Sequence, residues 1–132
     1  MAKKFSFSTK VYYEDTDAGG VVYYANYLKF LERARSEAIY SLGFTNSSLL
    51  ETYGILLIVK SCNIEYKKSA KFEDTIEIIS KVKSFTKTSC IMKQTIFRQN
   101  EMISDADIHL VAVDRNGKPS KMPEDLKKKL EV

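Results

Sequence analysis

The chain has 132 residues, a length that suits one compact domain, 1–132, with its own core and no space for a second. Its 21 Lys and Arg residues exceed its 17 Asp and Glu residues, and the resulting net charge of +4 is spread along the chain. A mild and dispersed basic excess predicts no nucleic-acid partner, although it is compatible with small anionic ligands.

The first predicted element is a half-buried strand from Phe5 to Tyr13, where one face carries mostly apolar side chains (Phe5, Phe7, Thr9, Val11, Tyr13) and the other mostly polar ones (Ser6, Ser8, Lys10, Tyr12). The residues before it are basic and lack the apolar segment of a signal peptide. The longest aliphatic run of the chain, Ile55 to Val59, is far too short to cross a bilayer. We therefore expect a cytoplasmic protein without a membrane span.

A long amphipathic helix is predicted from Asn26 to Leu42, because apolar residues recur at spacings of three and four. Asn26 is the expected N-cap and Gly43 the expected residue after the C-cap. Ala34 and Ala38 fall on the buried face, where small side chains let a sheet approach the helix axis closely.

The second half of the chain is rich in strand patterns and contains no other long helix. A short connector helix from Thr45 to Thr52 precedes four predicted strands, and a polar segment leads to a short helix from Glu124 to Leu130. The strands are Ile55 to Tyr66, Thr75 to Lys83, Ser89 to Arg98 and Met102 to Val113. This order predicts an α+β fold with an antiparallel sheet packed on one helix. Such a sheet leaves the backbone N–H and C=O groups of its edge strands unpaired, so we expect protomers to dimerise edge to edge.

The polar, Gly-rich bend from Asp15 to Gly20 joins the first strand to the long helix. Helix N-termini expose unpaired N–H groups, so a carboxylate presented there lies beside a ready oxyanion site. The residues alone also describe an ordinary turn whose Asp caps the helix, and this second interpretation is the simpler one.

The run Tyr-Tyr-Glu-Asp-Thr-Asp-Ala-Gly-Gly-Val-Val-Tyr, starting at Tyr12, is followed by Asn26-Tyr27 and by Glu32-Arg33-Ala34-Arg35. This signature resembles that of the hot-dog-fold acyl-CoA thioesterases, in the YbgC and 4-hydroxybenzoyl-CoA thioesterase family. The resemblance extends through Ile64-Glu65-Tyr66 to the segment 113–119, which is nearly the whole chain. It implies an α+β hot-dog fold, in which a five-stranded antiparallel sheet wraps around one long central helix.

The family resemblance also implies a reaction: hydrolysis of acyl-CoA to a free acid and CoA, without cofactor or metal. It places the catalytic carboxylate on Asp17, as nucleophile or general base, and the oxyanion donor on the backbone N–H of Tyr24. Several relatives carry His where this chain has Tyr24. A phenol with a pKa of about 10 cannot take over a histidine's role as a base, so the backbone-amide mechanism is the one expected here.

The substrate-binding residues expected from the resemblance are Tyr13, Gly20, Val21, Ile58, Val59 and Ser61. Tyr13 has two equally weighted interpretations, a side chain at the acyl pocket and a buried strand aromatic. For Ile58 and Val59, core packing is the simpler explanation. Asp15 is expected to cap the turn. The implied assembly is a homodimer with a continuous sheet, paired again into a homotetramer, with the acyl site between protomers.

Other chemistries are disfavoured by what the chain contains. A Ser-His-Asp hydrolase is excluded, because His109 is the single histidine and no Gly-x-Ser-x-Gly motif is present. Asp105, Asp107 and His109 share one strand face, a pattern that a solvated face explains better than a metal site does. Cys62 and Cys90 lack metal-binding spacing, so we expect buried free thiols.

A noncatalytic module that binds acyl thioesters or acyl carrier protein is the alternative function. A carboxylate beside the scissile carbonyl favours the enzyme, because in a binding module it would only repel the carbonyl oxygen of the bound thioester. A hot-dog dehydratase ranks last, since the only histidine lies on the last predicted strand. The sequence leaves open the acyl chain length, a preference for aromatic acyl groups, and whether CoA or acyl carrier protein carries the acyl group.

Overall fold

The computed structural model describes residues 3–131 as a five-stranded antiparallel sheet with one long helix against its face. The strands are β1 (Phe5–Lys10), β2 (Leu56–Tyr66), β3 (Thr75–Phe85), β4 (Ser89–Arg98) and β5 (Glu101–Val113), and the helices are α1 (Asn26–Ser41), α2 (Asn46–Tyr53) and α3 (Glu124–Glu131). The strand order is β1-β3-β4-β5-β2. This architecture confirms the predicted α+β hot-dog fold.

Helix α1 is the centre of the core and packs against β1 and β3. Its buried face consists of Tyr27, Phe30, Leu31, Ala34, Ala38 and Ile39. The predicted helix is confirmed, and Gly43 follows its C-cap with a φ of 89°. The predicted N-cap is wrong: Ala25 holds that position without a side-chain cap, and Asn26 is the first helical residue. The Asn26 side chain instead donates to the Asp15 carbonyl oxygen at 2.9 Å.

Strand β1 is shorter than predicted, because it ends at Lys10 and the chain enters a 3-10 turn at Tyr13–Asp15. The prediction of a strand up to Tyr13 is therefore wrong. The alternation of side chains continues as far as Tyr13 in the sequence, but it does not show where backbone hydrogen bonds turn the chain. Here the Asp15 N–H donates to the Tyr12 carbonyl oxygen at 3.0 Å and starts the turn.

Strand β2 lies at one edge of the sheet and pairs with β5 alone among residues 3–131. Its side chains are exposed or half-buried along its whole length. Cys62 is therefore an exposed thiol, which contradicts the expected burial, whereas Cys90 on β4 is a buried one. Burial raises the pKa of the Cys90 thiol to about 11. None of the helices described here is long and apolar enough to cross a bilayer.

Candidate active site

Asp17 lies in a tight hairpin between the 3-10 turn and α1. Thr16 and Val22 pair as an isolated antiparallel bridge, and the Asp17 N–H donates to the Val21 carbonyl oxygen at 2.9 Å. The Gly20 N–H donates back to the Asp17 carbonyl oxygen at 3.0 Å, with Gly20 at a φ of 79° that other residues rarely adopt. The turn therefore places Gly20 and Val21 directly across from Asp17.

The Asp17 carboxylate is exposed and fixed at one oxygen. The Gly19 N–H donates to Asp17 Oδ1 at 2.8 Å. A Cβ on residue 19 would lie 3.3 Å from that same oxygen, a tight contact that would displace the carboxylate slightly, whereas glycine leaves it where it is. Among residues 3–131, no donor reaches Asp17 Oδ2. The carboxylate thus has a defined orientation and one oxygen free to accept a proton or attack a carbonyl.

Asp15 is 2% exposed and joins the hairpin to the start of α1. Its carboxylate accepts the Tyr12 N–H at 2.9 Å and pairs with the Lys29 ammonium. Its backbone carbonyl oxygen accepts both the Asn26 side chain and the Tyr23 N–H, the latter at 3.2 Å. These contacts give Asp15 the structural role expected from the sequence.

Burial raises the pKa of the Asp15 carboxyl, but the hydrogen bonds from Lys29 and the Tyr12 amide outweigh it, so the net pKa lies below its ordinary value. Burial likewise raises the pKa of Asp105, and the hydrogen bonds from Lys93 and Thr95 bring it below the ordinary value. A depressed carboxyl pKa contributes stability above its unfolded-state value, and this stability is lost as pH falls through the folded-state pKa.

We therefore expect the free energy of unfolding to decrease as pH falls below about 4, the ordinary range of an aspartate. Urea titrations at pH 7, 5, 4 and 3 measure this, and Asp15→Asn should reduce the acid-dependent loss. A free energy of unfolding that increases over the acid range would contradict the role assigned to these carboxylates.

The entrance of α1 carries two backbone amides without a protein acceptor. Tyr23 is held at both ends: its N–H donates to the Asp15 carbonyl oxygen, and its own carbonyl oxygen accepts the Asn26 N–H at 2.8 Å. The next two residues, Tyr24 and Ala25, have N–H groups that find no acceptor within the described range 3–131. Unpaired donors at the positive end of a helix dipole are suited to stabilising an oxyanion.

Tyr13 is 77% exposed. Its interpretation as a buried strand aromatic is therefore wrong. Its ring stacks on Phe72 with centroids 4.1 Å apart and planes at 22°. The Phe72 N–H approaches the Gly20 carbonyl oxygen at 3.4 Å. The stacked pair therefore flanks the Asp17 hairpin and borders an open groove of about 690 Å³.

The three β2 residues expected at the acyl group do not share a face. Val59 lines a cavity of about 180 Å³ beside Arg35 and Ile39 of α1, whereas Ile58 and Ser61 oppose β5 residues on the outer face of the sheet. Ile58 and Val59 are 45% and 47% exposed, so core packing within the protomer does not explain them.

Tyr66, at the end of β2, is a residue to which sequence reasoning gave no individual role. Its hydroxyl donates to the Tyr24 carbonyl oxygen at 3.1 Å, and its ring packs against Tyr27 with centroids 5.2 Å apart. No local pattern signals this contact, because it joins segments far apart in the chain.

The outer strand face that suggested a metal site carries ion pairs. Asp105 pairs with Lys93 at 2.9 Å and Asp107 with Lys83 at 3.3 Å. Within residues 3–131, no cluster of His, Cys, Asp and Glu has the geometry to hold a metal ion.

The family model described as "Thioesterase-like superfamily" matches residues 11–130. The chain belongs to the thioesterase-like superfamily.

Two curated relatives of this thioesterase-like chain cover nearly its full length. "Acyl-CoA thioesterase YbgC" of Haemophilus influenzae is 40% identical over 93% of this chain and 91% of the relative. "Acyl-CoA thioester hydrolase YbgC" of Escherichia coli O6:H1 is 36% identical over 92% of each. The solved structure of a probable thioesterase from Bartonella henselae superposes with a TM-score of 0.88 at 30% identity, covering 92% of this chain and all (100%) of that one. The family resemblance seen in the sequence is confirmed.

Proposed function

We propose that the protein is an acyl-CoA thioesterase that hydrolyses acyl-CoA to a free acid and CoA, with Asp17 as the catalytic carboxylate. The observation that carries this proposal is the exposed Asp17 carboxylate, oriented by Gly19 on the hairpin that leads to the free Tyr24 amide. The two YbgC relatives support the reaction class, since acyl-CoA thioester hydrolysis is named for both.

In the general-base route, Asp17 takes a proton from water as the water oxygen adds to the thioester carbonyl carbon. The carbonyl oxygen becomes an oxyanion, to which the Tyr24 N–H donates. Collapse of this intermediate breaks the C–S bond, and the departing CoA thiolate takes the proton from Asp17. In the nucleophilic route, Asp17 itself adds to the carbonyl, CoA thiolate leaves, and water hydrolyses the mixed anhydride. Both routes need the same carboxylate in the same place.

Neither route needs a histidine, because a thiolate is a good leaving group and requires little protonation. This fits a chain with one histidine. His109 lies on β5 opposite Ser61, on the outer face of the sheet, away from the interior face that carries α1. The Tyr24 side chain is exposed, and we assign the oxyanion role to its backbone alone.

A thiol-release assay over a panel of acyl-CoAs tests the function directly. The panel covers short, long and aromatic acyl groups, with the matching acyl carrier protein thioesters as a second series. We expect release from at least one acyl-CoA, and the ratio of kcat/KM between the two series identifies the carrier. No release from any member, together with saturable binding, would establish a noncatalytic acyl-thioester binding module instead.

We also propose that the protein forms a homodimer through the free edge of β2. Leu56, Ile58, Val59 and Tyr66 are exposed apolar or aromatic residues on this one strand. An unpaired edge with this composition invites pairing with another strand, and a two-fold axis makes the same edge complementary to itself. Pairing of dimers into a tetramer and a cytoplasmic location stay predictions.

Ile58→Lys should shift the protein from dimer to monomer without unfolding it, because residue 58 is already exposed in the protomer and a charged side chain would replace an apolar one on the edge strand of both subunits. Activity should fall with the dimer if the site lies between protomers. Sedimentation velocity and thiol release measure the two effects. Met102→Lys, at an exposed β5 residue beyond the end of the β2 pairing, is the matched control. A wild-type protein that sediments as a fully active monomer would contradict this proposal.

A further inference from the structure

The side chain of Tyr66 reaches from the edge strand β2 to the entrance of α1. Its hydroxyl donates to the Tyr24 carbonyl oxygen at 3.1 Å. The same oxygen accepts the Tyr27 N–H at 3.3 Å, a bond of the first helical turn. The Tyr66 ring also packs edge-on against the rings of Tyr24 and Tyr27, with centroids 6.2 and 5.2 Å away. The Tyr24 carbonyl is thus held both from within the helix and from the sheet.

This bond acts on the segment that carries the free amides. Tyr23 is tied to Asp15 by its N–H and to Asn26 by its carbonyl oxygen. The Tyr24 carbonyl belongs to the peptide unit whose N–H is that of Ala25. A hydrogen bond to that carbonyl fixes the peptide plane and makes its N–H a stronger donor. Donors stabilise a transition state most when they are oriented before the reaction begins.

We propose that Tyr66 is a positioning residue for thioester hydrolysis, whose hydroxyl orients the peptide unit between Tyr24 and Ala25 and so presents the Ala25 amide to the oxyanion beside the Tyr24 amide. This inference rests on the proposed thioesterase function and adds a residue to its site. Burial raises the pKa of the Tyr66 phenol, and Cys62, Tyr27 and Tyr24 raise it further. The hydroxyl therefore remains protonated, and able to donate, throughout the neutral pH range.

Tyr66→Phe removes the hydroxyl and keeps the ring. We expect kcat to fall about tenfold, the effect of losing about one hydrogen bond in the transition state, while KM stays within about twofold because the substrate contacts persist. Tyr53→Phe is the matched control, since it removes another partly exposed tyrosine hydroxyl, one that donates to Asp125 at 3.3 Å. The control should keep the wild-type kcat. A merely structural loss would change the folded fraction and leave the kcat of the folded protein unaltered.

Amide hydrogen exchange supplies a readout that does not depend on turnover. The Tyr27 N–H, bonded to the Tyr24 carbonyl, should exchange faster in Tyr66→Phe than in wild type or Tyr53→Phe. If wild type is active and Tyr66→Phe has the same kcat as Tyr53→Phe, the inference about Tyr66 is overturned and the thioesterase proposal still stands. A wild type that releases no thiol from any acyl-CoA overturns both, whatever the exchange rates.

Discussion

Asp17→Asn is expected to lower kcat for acyl-CoA hydrolysis by about 10²- to 10⁴-fold, the usual contribution of a positioned acid or base. The amide oxygen of Asn is able to accept the Gly19 N–H that now binds Asp17 Oδ1 at 2.8 Å, so the hairpin should persist. The amide group, however, neither removes a proton from water nor attacks a carbonyl. Because residue 17 is exposed, the melting temperature should stay close to that of wild type. Thiol release under saturating substrate gives kcat, and a nonhydrolysable thioether analogue of the substrate gives the affinity.

Glu14→Gln is the matched control, because Glu14 is an exposed acid in the adjoining 3-10 turn. Its loss removes the same charge from the same region and should leave kcat near the wild-type value. If Asp17→Asn keeps wild-type turnover, the carboxylate mechanism is wrong. If both variants lose activity equally, the effect is one of local charge and not of Asp17 chemistry.

Local patterns were sufficient to predict most of the fold. The apolar spacing from Tyr27 onwards identified α1, and Gly43 marked its end, with a φ of 89°. The predicted break between Arg98 and Met102 separated β4 from β5, which pair as an antiparallel hairpin. Each of these features depends on residues close together in the chain, so periodicity and turn chemistry report them directly.

The errors arose where a residue's environment depends on distant segments. Tyr13 continues the alternation of β1, yet its ring stacks on Phe72, a residue of another connection. Cys62 and Val59 look like core residues because β2 is apolar, but β2 is an edge strand and both residues are exposed. Apolar composition indicates that a surface is to be covered, and it does not indicate whether the protomer or a partner covers it.

In the candidate site, too, the local features were predictable from the sequence and the long-range contacts were not. Asp17 and its glycines belong to one continuous motif, so the family resemblance singled out this bend and the residue pattern placed it before the helix. The hydrogen bond from Tyr66 to the Tyr24 carbonyl was not predictable, since it requires the register of β2 and the position of α1 over the sheet.

Asp15→Ala is expected to lower the free energy of unfolding by about 2–4 kcal/mol, because it leaves the partly buried Tyr12 N–H without its acceptor and Lys29 without its ion-pair partner. The Lys29 side chain is partly exposed and regains some hydration, which keeps the effect below that of a fully buried pair. Asp15→Asn should cost less, since its amide oxygen still accepts one hydrogen bond. Urea unfolding at one fixed protein concentration measures the change, because the proposed dimer would link stability to concentration.

Lys121→Ala is the control for an ordinary surface ion pair away from the proposed dimer edge, since Lys121 and Glu124 form a solvent-exposed contact at 3.9 Å. Its effect should stay within about 1 kcal/mol. Asp15→Ala should also reduce thiol release, because the Asp15 carboxylate joins the Tyr12 amide to Lys29 of α1 and so helps to hold the turn against the helix. A stability change no larger than that of Lys121→Ala would mean that the hairpin is held by its backbone bonds alone, and the Asp15 carboxylate would then have no part in fixing the geometry around Asp17.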